Sequence, residues 1–294
     1  MGLKKWYLSK AEDWFSRYAL MIKEYFQDTK IDLQKADINY TLTQYLSLAM
    51  MSAVSIFMLS TPLMSMFIGF MQKSIAGVIA GVIAGFFIGV VLSVATFGGF
   101  YLYPSVEVAR RKEDINHNLP FATLYLSTVA SSGNPPAAMF KLLGNFEEYG
   151  EVSKEAAKIA GDVYNFGADV EEALNSAAER TPSDKFKNFL WGLNSVVTTG
   201  GDLKAYLSEK ASEFMRDYRR ELDKFTDLLS LLVEMYITIV IVGSVFLIIL
   251  STIMSALGGG QAVVLGLQTA TIFLLLPMAS IMFIIIVKGA SPLE

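Results

Sequence analysis

The sequence predicts an all-α membrane protein in which two transmembrane helical hairpins flank a cytoplasmic six-helix bundle. Three observations carry that reading. Charge is almost absent from residues 47–103 and 229–287 and dense between them. Each charge-poor stretch can hold two helices of the roughly 20 residues that cross a bilayer. Between the stretches, apolar residues recur at helical spacing and no strand-like alternation occurs. Overall composition is less telling, because 53% hydrophobic residues only slightly exceeds the level of soluble domains.

Residues 1–44 form an expected cytoplasmic helical segment. Residues 1–46 hold seven Lys or Arg and six Asp or Glu, without the apolar run of a signal peptide. The first membrane segment is therefore expected to be an uncleaved anchor. The first hairpin is placed at 45–103. Segment one covers Tyr45 to Phe70, kinked at Pro62, and Met71-Gln72-Lys73 joins it to segment two, Ser74 to Tyr103. The second hairpin is placed at 228–288, with segment three from Leu228 to Met254 and segment four from Ala262 to Val287. Pro277 lies inside segment four, the glycine-rich link 256–261 joins the pair, and 289–294 is a tail.

Orientation follows from the cations. Residues 1–46 carry seven Lys or Arg and 104–228 carry fifteen, the first link carries one, the second none, and Lys288 follows the last segment. The positive-inside tendency places both termini and the middle domain in the cytoplasm.

The middle domain, 104–227, reads as six helices with short turns. Pro104 marks the exit from segment two. His117-Asn118-Leu119-Pro120 reads as a helix start with Pro120 in the first turn. Ser131 to Pro136 ends that helix and opens a short one through Leu143. A third covers Glu147 to Asn165. Asp169 reads as the N-cap of Val170 to Arg180, Thr181-Pro182-Ser183 as a break, Asp184 to Thr199 as a fifth helix, and Asp202 as the cap of a sixth. Gly133, Gly167 and Gly201 fall 34 residues apart before helix starts. That is also the tetratricopeptide period, but the aromatic positions of that repeat are out of register, so the spacing is read as successive hairpins of one bundle.

Several residues are candidates for function. Gly77, Gly81, Gly85 and Gly89 recur every four residues in segment two, a ridge without side chains that another helix can approach closely, within the chain or across an oligomer seam. Glu234 is the one acid inside a membrane segment. It reads either as a solvated group at headgroup level or as an ion-pair partner of Arg219 or Arg220, locking segment three to the bundle. A basic set flanks the membrane: Arg110, Arg111, Lys112, Arg216, Arg219, Arg220 and Lys224. It reads as headgroup binding or as a dock for an acidic protein surface.

Several chemistries are disfavoured. Without cysteine there is no disulfide or thiolate site, and one histidine, His117, cannot build a multi-His zinc site. Gly258-Gly259-Gly260 lacks the Lys of a phosphate loop. Glu171-Glu172, Asp217 and Asp223 interleave with cations and read as surface. A net charge of −4 gives no pull toward nucleic acid. No catalytic, metal or cofactor site is expected.

Together these motifs resemble the F family of type II secretion. Leu119-Pro120 resembles the opening of the family's first domain helix. Ser132-Gly133-Asn134-Pro135, Phe166-Gly167-Ala168-Asp169 and Thr199-Gly200-Gly201-Asp202-Leu203 resemble its successive turns. Leu231-Leu232-Val233-Glu234 resembles its acid-bearing entry to the third segment. One bundle between two hairpins resembles the tight-adherence and archaeal members. The resemblance implies an inner-membrane platform protein of a type IV pilus, archaellum or secretion machine, not an enzyme. Its implied partners are a hexameric cytoplasmic ATPase, pilin-like subunits, membrane lipid and a second platform copy or sister subunit. The alternative is an ion-driven stator or proton-channel subunit, which segments one, two and four, lacking any acid, do not favour.

Overall fold

The computed structural model describes residues 2–72, 75–257 and 260–290. Lys73 of the first link, Ser74 at the start of segment two, Gly258 and Gly259 of the second link, and the last four tail residues lie outside the described residues. Every regular element among the described residues is helical. Four helices are long and apolar enough to cross a bilayer, within 42–68, 79–130, 203–256 and 264–290. This is a multi-pass membrane protein.

The chain divides into two compact units, residues 1–211 and 212–294. In the first unit, α1 (Gly2–Ile22), a 3₁₀ turn (Lys23–Phe26) and α2 (Gln27–Lys35) lead to α3 (Leu42–Gln72), which carries segment one. Thr41 and Gln44 start α3 with a reciprocal capping pair: the Thr41 amide donates to Gln44 Oε1 (3.0 Å) and the Gln44 amide to Thr41 Oγ1 (3.3 Å).

The helix of segment two runs on past Pro104, and no helix starts at Pro120. Both prolines lie inside α4 (Ile75–Ala130), a 56-residue helix. A proline in a helix interior leaves the carbonyl four residues earlier without its amide. At Pro104 that carbonyl belongs to Phe100, and the buried Tyr45 hydroxyl donates to it at 2.7 Å. The lost bond is thus replaced from α3. At Pro120 the ring and Leu119 are buried in the bundle core, so packing holds the helix through the defect.

The first hairpin packs through its glycines. A β-carbon at Gly85 would lie 2.8 Å from the Thr61 carbonyl oxygen and 2.9 Å from the Ser65 amide nitrogen, so the two backbones touch. A β-carbon at Gly89 would strike the Thr61 side chain, and Phe57 meets Phe86 edge-on nearby. Gly81 is also buried, and the surroundings of Gly77 lie outside the described residues. The ridge in the described part serves contact within the chain.

The lower part of α4 then joins α5 (Pro136–Leu143), α6 (Gly150–Phe166), α7 (Val170–Arg180), α8 (Asp184–Thr199) and the start of α9 (Leu203–Tyr236) in a bundle. Ile115, Leu119, Ala122 and Leu126 form its α4 stripe, facing Phe140, Leu143, Ile159, Leu174, Phe186, Phe189 and Leu193. Asp169 and Asp202 cap helices where the sequence places them, and Ser183, read only as part of a break, caps α8. Asp169 accepts from the Val170 amide (2.7 Å), Ser183 from Phe186 (3.1 Å), and Asp202 from Ala205 (3.0 Å). Gly133 and Gly167 have positive φ, as a left-handed helix stop requires. In the third turn that residue is Gly200, one position before the expected Gly201.

In the second unit, α9 runs on through a π-helical stretch (Ile237–Val242) into α10 (Gly243–Ala256). It pairs with α11 (Gln261–Ala270) and α12 (Leu276–Ala290). A second π stretch, Thr271–Leu275, precedes Pro277, whose missing amide already breaks α-helical bonding there. Polar contacts stitch this hairpin: Gln268 donates to Ser251 (3.0 Å), and Tyr236 meets Ser280 (3.2 Å). Both expected domain boundaries, 103/104 and 227/228, thus fall inside unbroken helices, and the division between compact units lies within α9.

Candidate coupling site

One residue of the basic set is not on the surface. Arg111 lies one turn before the core stripe of α4, in register with Ile115 and Leu119, and is 2% exposed. Its Nε donates to Glu151 (2.7 Å), one terminal nitrogen to Glu155 (2.9 Å), and the other to the Lys35 carbonyl at the end of α2. Glu155 is 1% exposed and also receives Arg180 Nε (2.9 Å) and Lys158 (3.1 Å). Lys154 pairs with Glu151 (2.7 Å), Lys158 with Asp37 (2.6 Å), and Arg180 with Asp162 (3.3 Å). Four cations meet four carboxylates, and no charge in the set is left uncompensated.

The backbone is shaped around this cluster. Asp37 ends α2 in the left-handed region at φ +58, the one such non-glycine among the described residues. Gly150 opens α6 at φ +54, and any β-carbon there would strike the Asp114 carboxylate. Asp114 instead accepts the Glu151 amide at 2.6 Å, satisfying a donor at the α6 N-terminus from a neighbouring helix. Burial pushes the Glu151 and Glu155 carboxyls up. Lys154 and Arg111 at the first, and Lys158 and Arg180 at the second, outweigh burial and hold both below the usual glutamate range.

The cluster therefore ties four pieces of chain together: the turn that leads into α3, the shaft of α4, and the bundle helices α6 and α7. A fork such as guanidinium fixes orientation as well as distance. Chemically the arrangement transmits position; among the described residues there is no group of His, Asp and Glu that could hold a metal.

The other sequence candidates lie elsewhere. Arg110 pairs with Glu107 along α4, and Lys112 with Asp184 at the head of α8 (2.9 Å). Arg216, Arg219, Arg220 and Lys224 are exposed on α9, Arg220 beside Asp217. Glu234 is exposed on the same helix. Because α9 is unbroken, 14 or 15 residues separate Glu234 from Arg220 and Arg219, about 21 Å at 1.5 Å per residue. The expected ion pair between them cannot form within one chain.

Residues 122–251 match the family described as Type II secretion system (T2SS), protein F. The centre of this chain is thus similar to the T2SS F domain. An uncharacterized protein of Methanocaldococcus jannaschii is 28% identical over 202 residues, covering 65% of this chain and 33% of that protein. Flagella accessory protein J of the same organism is 27% identical over 150 residues, covering 51% and 26%. Its namesake in Methanococcus voltae is 25% identical over 150 residues, covering 51% and 27%. The chain thus spans about a third of the length of the first relative and about a quarter of the other two. No solved structure matches it.

The F domain gives the cluster a meaning that single residues do not. Glu151, Glu155 and Arg180 lie inside the matched residues, whereas Arg111, Asp114, Lys35 and Asp37 precede them. The network is the seam between the F domain and the segment that leads into it. Glu151 and Glu155 carry no prediction in the sequence reading, yet a signal exists. They sit four apart beside the Val152, Ala156 and Ile159 stripe, and Arg111 continues the α4 stripe toward the membrane.

Proposed function

We propose that this chain is an inner-membrane platform subunit of a type IV pilus-like, archaellum or type II secretion machine, working as a mechanical coupler without catalysis of its own. The observation that supports this best is the seam itself. The F domain is fastened by buried, oriented charge to α4, and α4 runs without a break into the membrane. A force applied to the bundle is then carried by a stiff helix rather than absorbed by a linker. Names of two relatives, flagella accessory protein J, favour a filament-building setting.

In this reading both termini and residues 104–227 face the cytoplasm. A hexameric ATPase grips the bundle, and the membrane hairpins pass its movement to pilin-like subunits, with a second copy or sister subunit completing the platform. The exposed cations Arg110, Lys112, Arg216, Arg219, Arg220 and Lys224 are the proposed dock for an acidic motor surface. Arg111 is withdrawn from it by burial. The test is co-purification of the ATPase from native membranes with the wild type and with Arg219→Glu/Arg220→Glu. Capture by the first and loss with the second is expected. Equal capture removes the dock, and no capture by the wild type removes the motor-coupled reading.

A further inference from the structure

Glu234 is an acid for which this chain supplies no partner. It stands exposed on α9, ten residues past Lys224 and seven past Asp227, the last charges before the apolar run of the second hairpin. At 1.5 Å per residue it lies about 10 Å further along the helix than Asp227. Leu231, Val233 and Met235 beside it are bare apolar side chains. Tyr236 of α9 meets Ser280 (3.2 Å) and Phe283 of α12, which sets the level of these two antiparallel helices. At the level of Glu234, α12 exposes Met282, Ile284 and Ile285. The carboxylate is thus set among surface that suits hydrocarbon.

Its direction matters as much as its level. At 100° per residue, Tyr236, which is bonded to α12, and the buried Val240 lie on the opposite side of the helix. The side of Glu234 itself carries Asp227, Ser230 and Thr238, at i−7, i−4 and i+4, and all three are exposed. A polar stripe therefore runs down the face of the hairpin that turns away from α12. It ends at Thr238, because Ile241 and Val242, the next residues on that side, are apolar and exposed. Among the described residues no hydrogen bond or ion pair engages Glu234.

Acids in membrane segments pair with a cation or line water, and polar side chains there hydrogen-bond across to neighbouring helices. Neither hairpin of this chain can supply the counter-charge. Residues 42–103 hold one Lys, Lys73 in the first link, and residues 225–287 hold neither Lys nor Arg. A second copy shares that lack. Lys288, the cation of α12, stands about one to two turns closer to the membrane surface and is itself engaged. We infer that the face of α9 bearing Ser230, Glu234 and Thr238 docks a membrane-spanning helix of a different polypeptide, one that brings a lysine, an arginine or a free α-amine to the depth of Glu234. The cation turns a costly lone charge into a pair, so one contact selects the partner and fixes its depth.

The test places the full chain in phosphatidylcholine vesicles with a synthetic membrane-spanning leucine-alanine helix. One version of the helix carries a single lysine at the depth of Glu234, and another carries glutamine there. The chain has no cysteine, so Leu257→Cys takes an acceptor dye, and energy transfer from a donor on the helix reads association. The lysine helix should bind roughly tenfold more tightly than the glutamine helix, and Glu234→Gln should abolish that difference at an unchanged unfolding midpoint. Equal binding of the two helices to the wild type, the result for a carboxylate bathed in headgroup water, would overturn the proposal. So would a preference that survives Glu234→Gln, or self-association of the chain without any helix that Glu234→Gln removes, since the partner would then be a second copy. A lysine moved to the middle of the helix must lose the preference, or depth is not what this face selects and the assignment fails.

Discussion

Two basic clusters flank the membrane segments, and the sequence makes them look alike. One follows segment two, Arg110 to Lys112, and the other precedes segment three, Arg216 to Lys224. In the first, the middle residue turns inward and becomes the hub of a buried network; in the second, all four cations stay exposed on α9. The difference is helical register. Arg111 stands four residues before Ile115 and eight before Leu119, both buried, whereas the buried stripe of α9, Leu207, Ala211 and Phe214, points on to Tyr218 and leaves Arg219 and Arg220 off its register. A basic patch near a membrane is therefore one topological signal but two different physical objects.

Arg111→Met is the sharpest way to break this contrast. It leaves Glu151 and Glu155 buried against too little positive charge. Removing one member of such a buried set costs about 3–5 kcal/mol, read as a fall in the unfolding midpoint of the detergent-held protein. Arg111→Lys keeps the charge but not the fork, and it should recover only part of the loss. If Arg111→Met unfolds like the wild type, the seam does not hold the F domain.

The same network sets a pH response. Glu151 and Glu155 are held below their unfolded values, so their contribution is present above the ordinary glutamate pKa of about 4.3 and fades as pH falls through the lower folded values. Unfolding midpoints of the wild type should therefore fall with pH from about 4.3 downward. Glu155→Gln should flatten that slope, and an unchanged slope would mean that these carboxylates do not report on stability.

How much of this was legible follows the same division. Turns and caps of the bundle are local, so the caps at Asp169 and Asp202 and the break that ends in Ser183 could be placed from local sequence alone. Pro120 misled because its local preference is to open a helix, and at Pro104 the contact that keeps α4 continuous is distant: Tyr45 lies 55 residues from the Phe100 carbonyl it caps. The network was hidden for a similar reason. Its members are spread from Lys35 to Arg180, and only the stripes on α4 and α6 hint that they meet.

Tyr45→Phe tests that repair and has a middle-sized effect. It orphans the carbonyl freed by Pro104, and the loss of such a bond costs about 1–3 kcal/mol. In a Pro104→Ala background the α-helical amide returns and the hydroxyl is no longer needed. The two substitutions should therefore be clearly non-additive in a double-mutant cycle. Additive losses would mean that α4 crosses Pro104 by packing alone.

The smallest effect belongs to the exposed cluster, and it separates docking from folding. Surface substitutions away from buried networks stay within about 0.5 kcal/mol, so Arg219→Glu should leave the unfolding midpoint where it is. Arg111→Met must lower it under the same conditions. If Arg219→Glu loses the ATPase at unchanged stability, the exposed cations act as a contact surface. If it also unfolds the protein, α9 is held by a charge network of its own, and the contrast between the two clusters disappears.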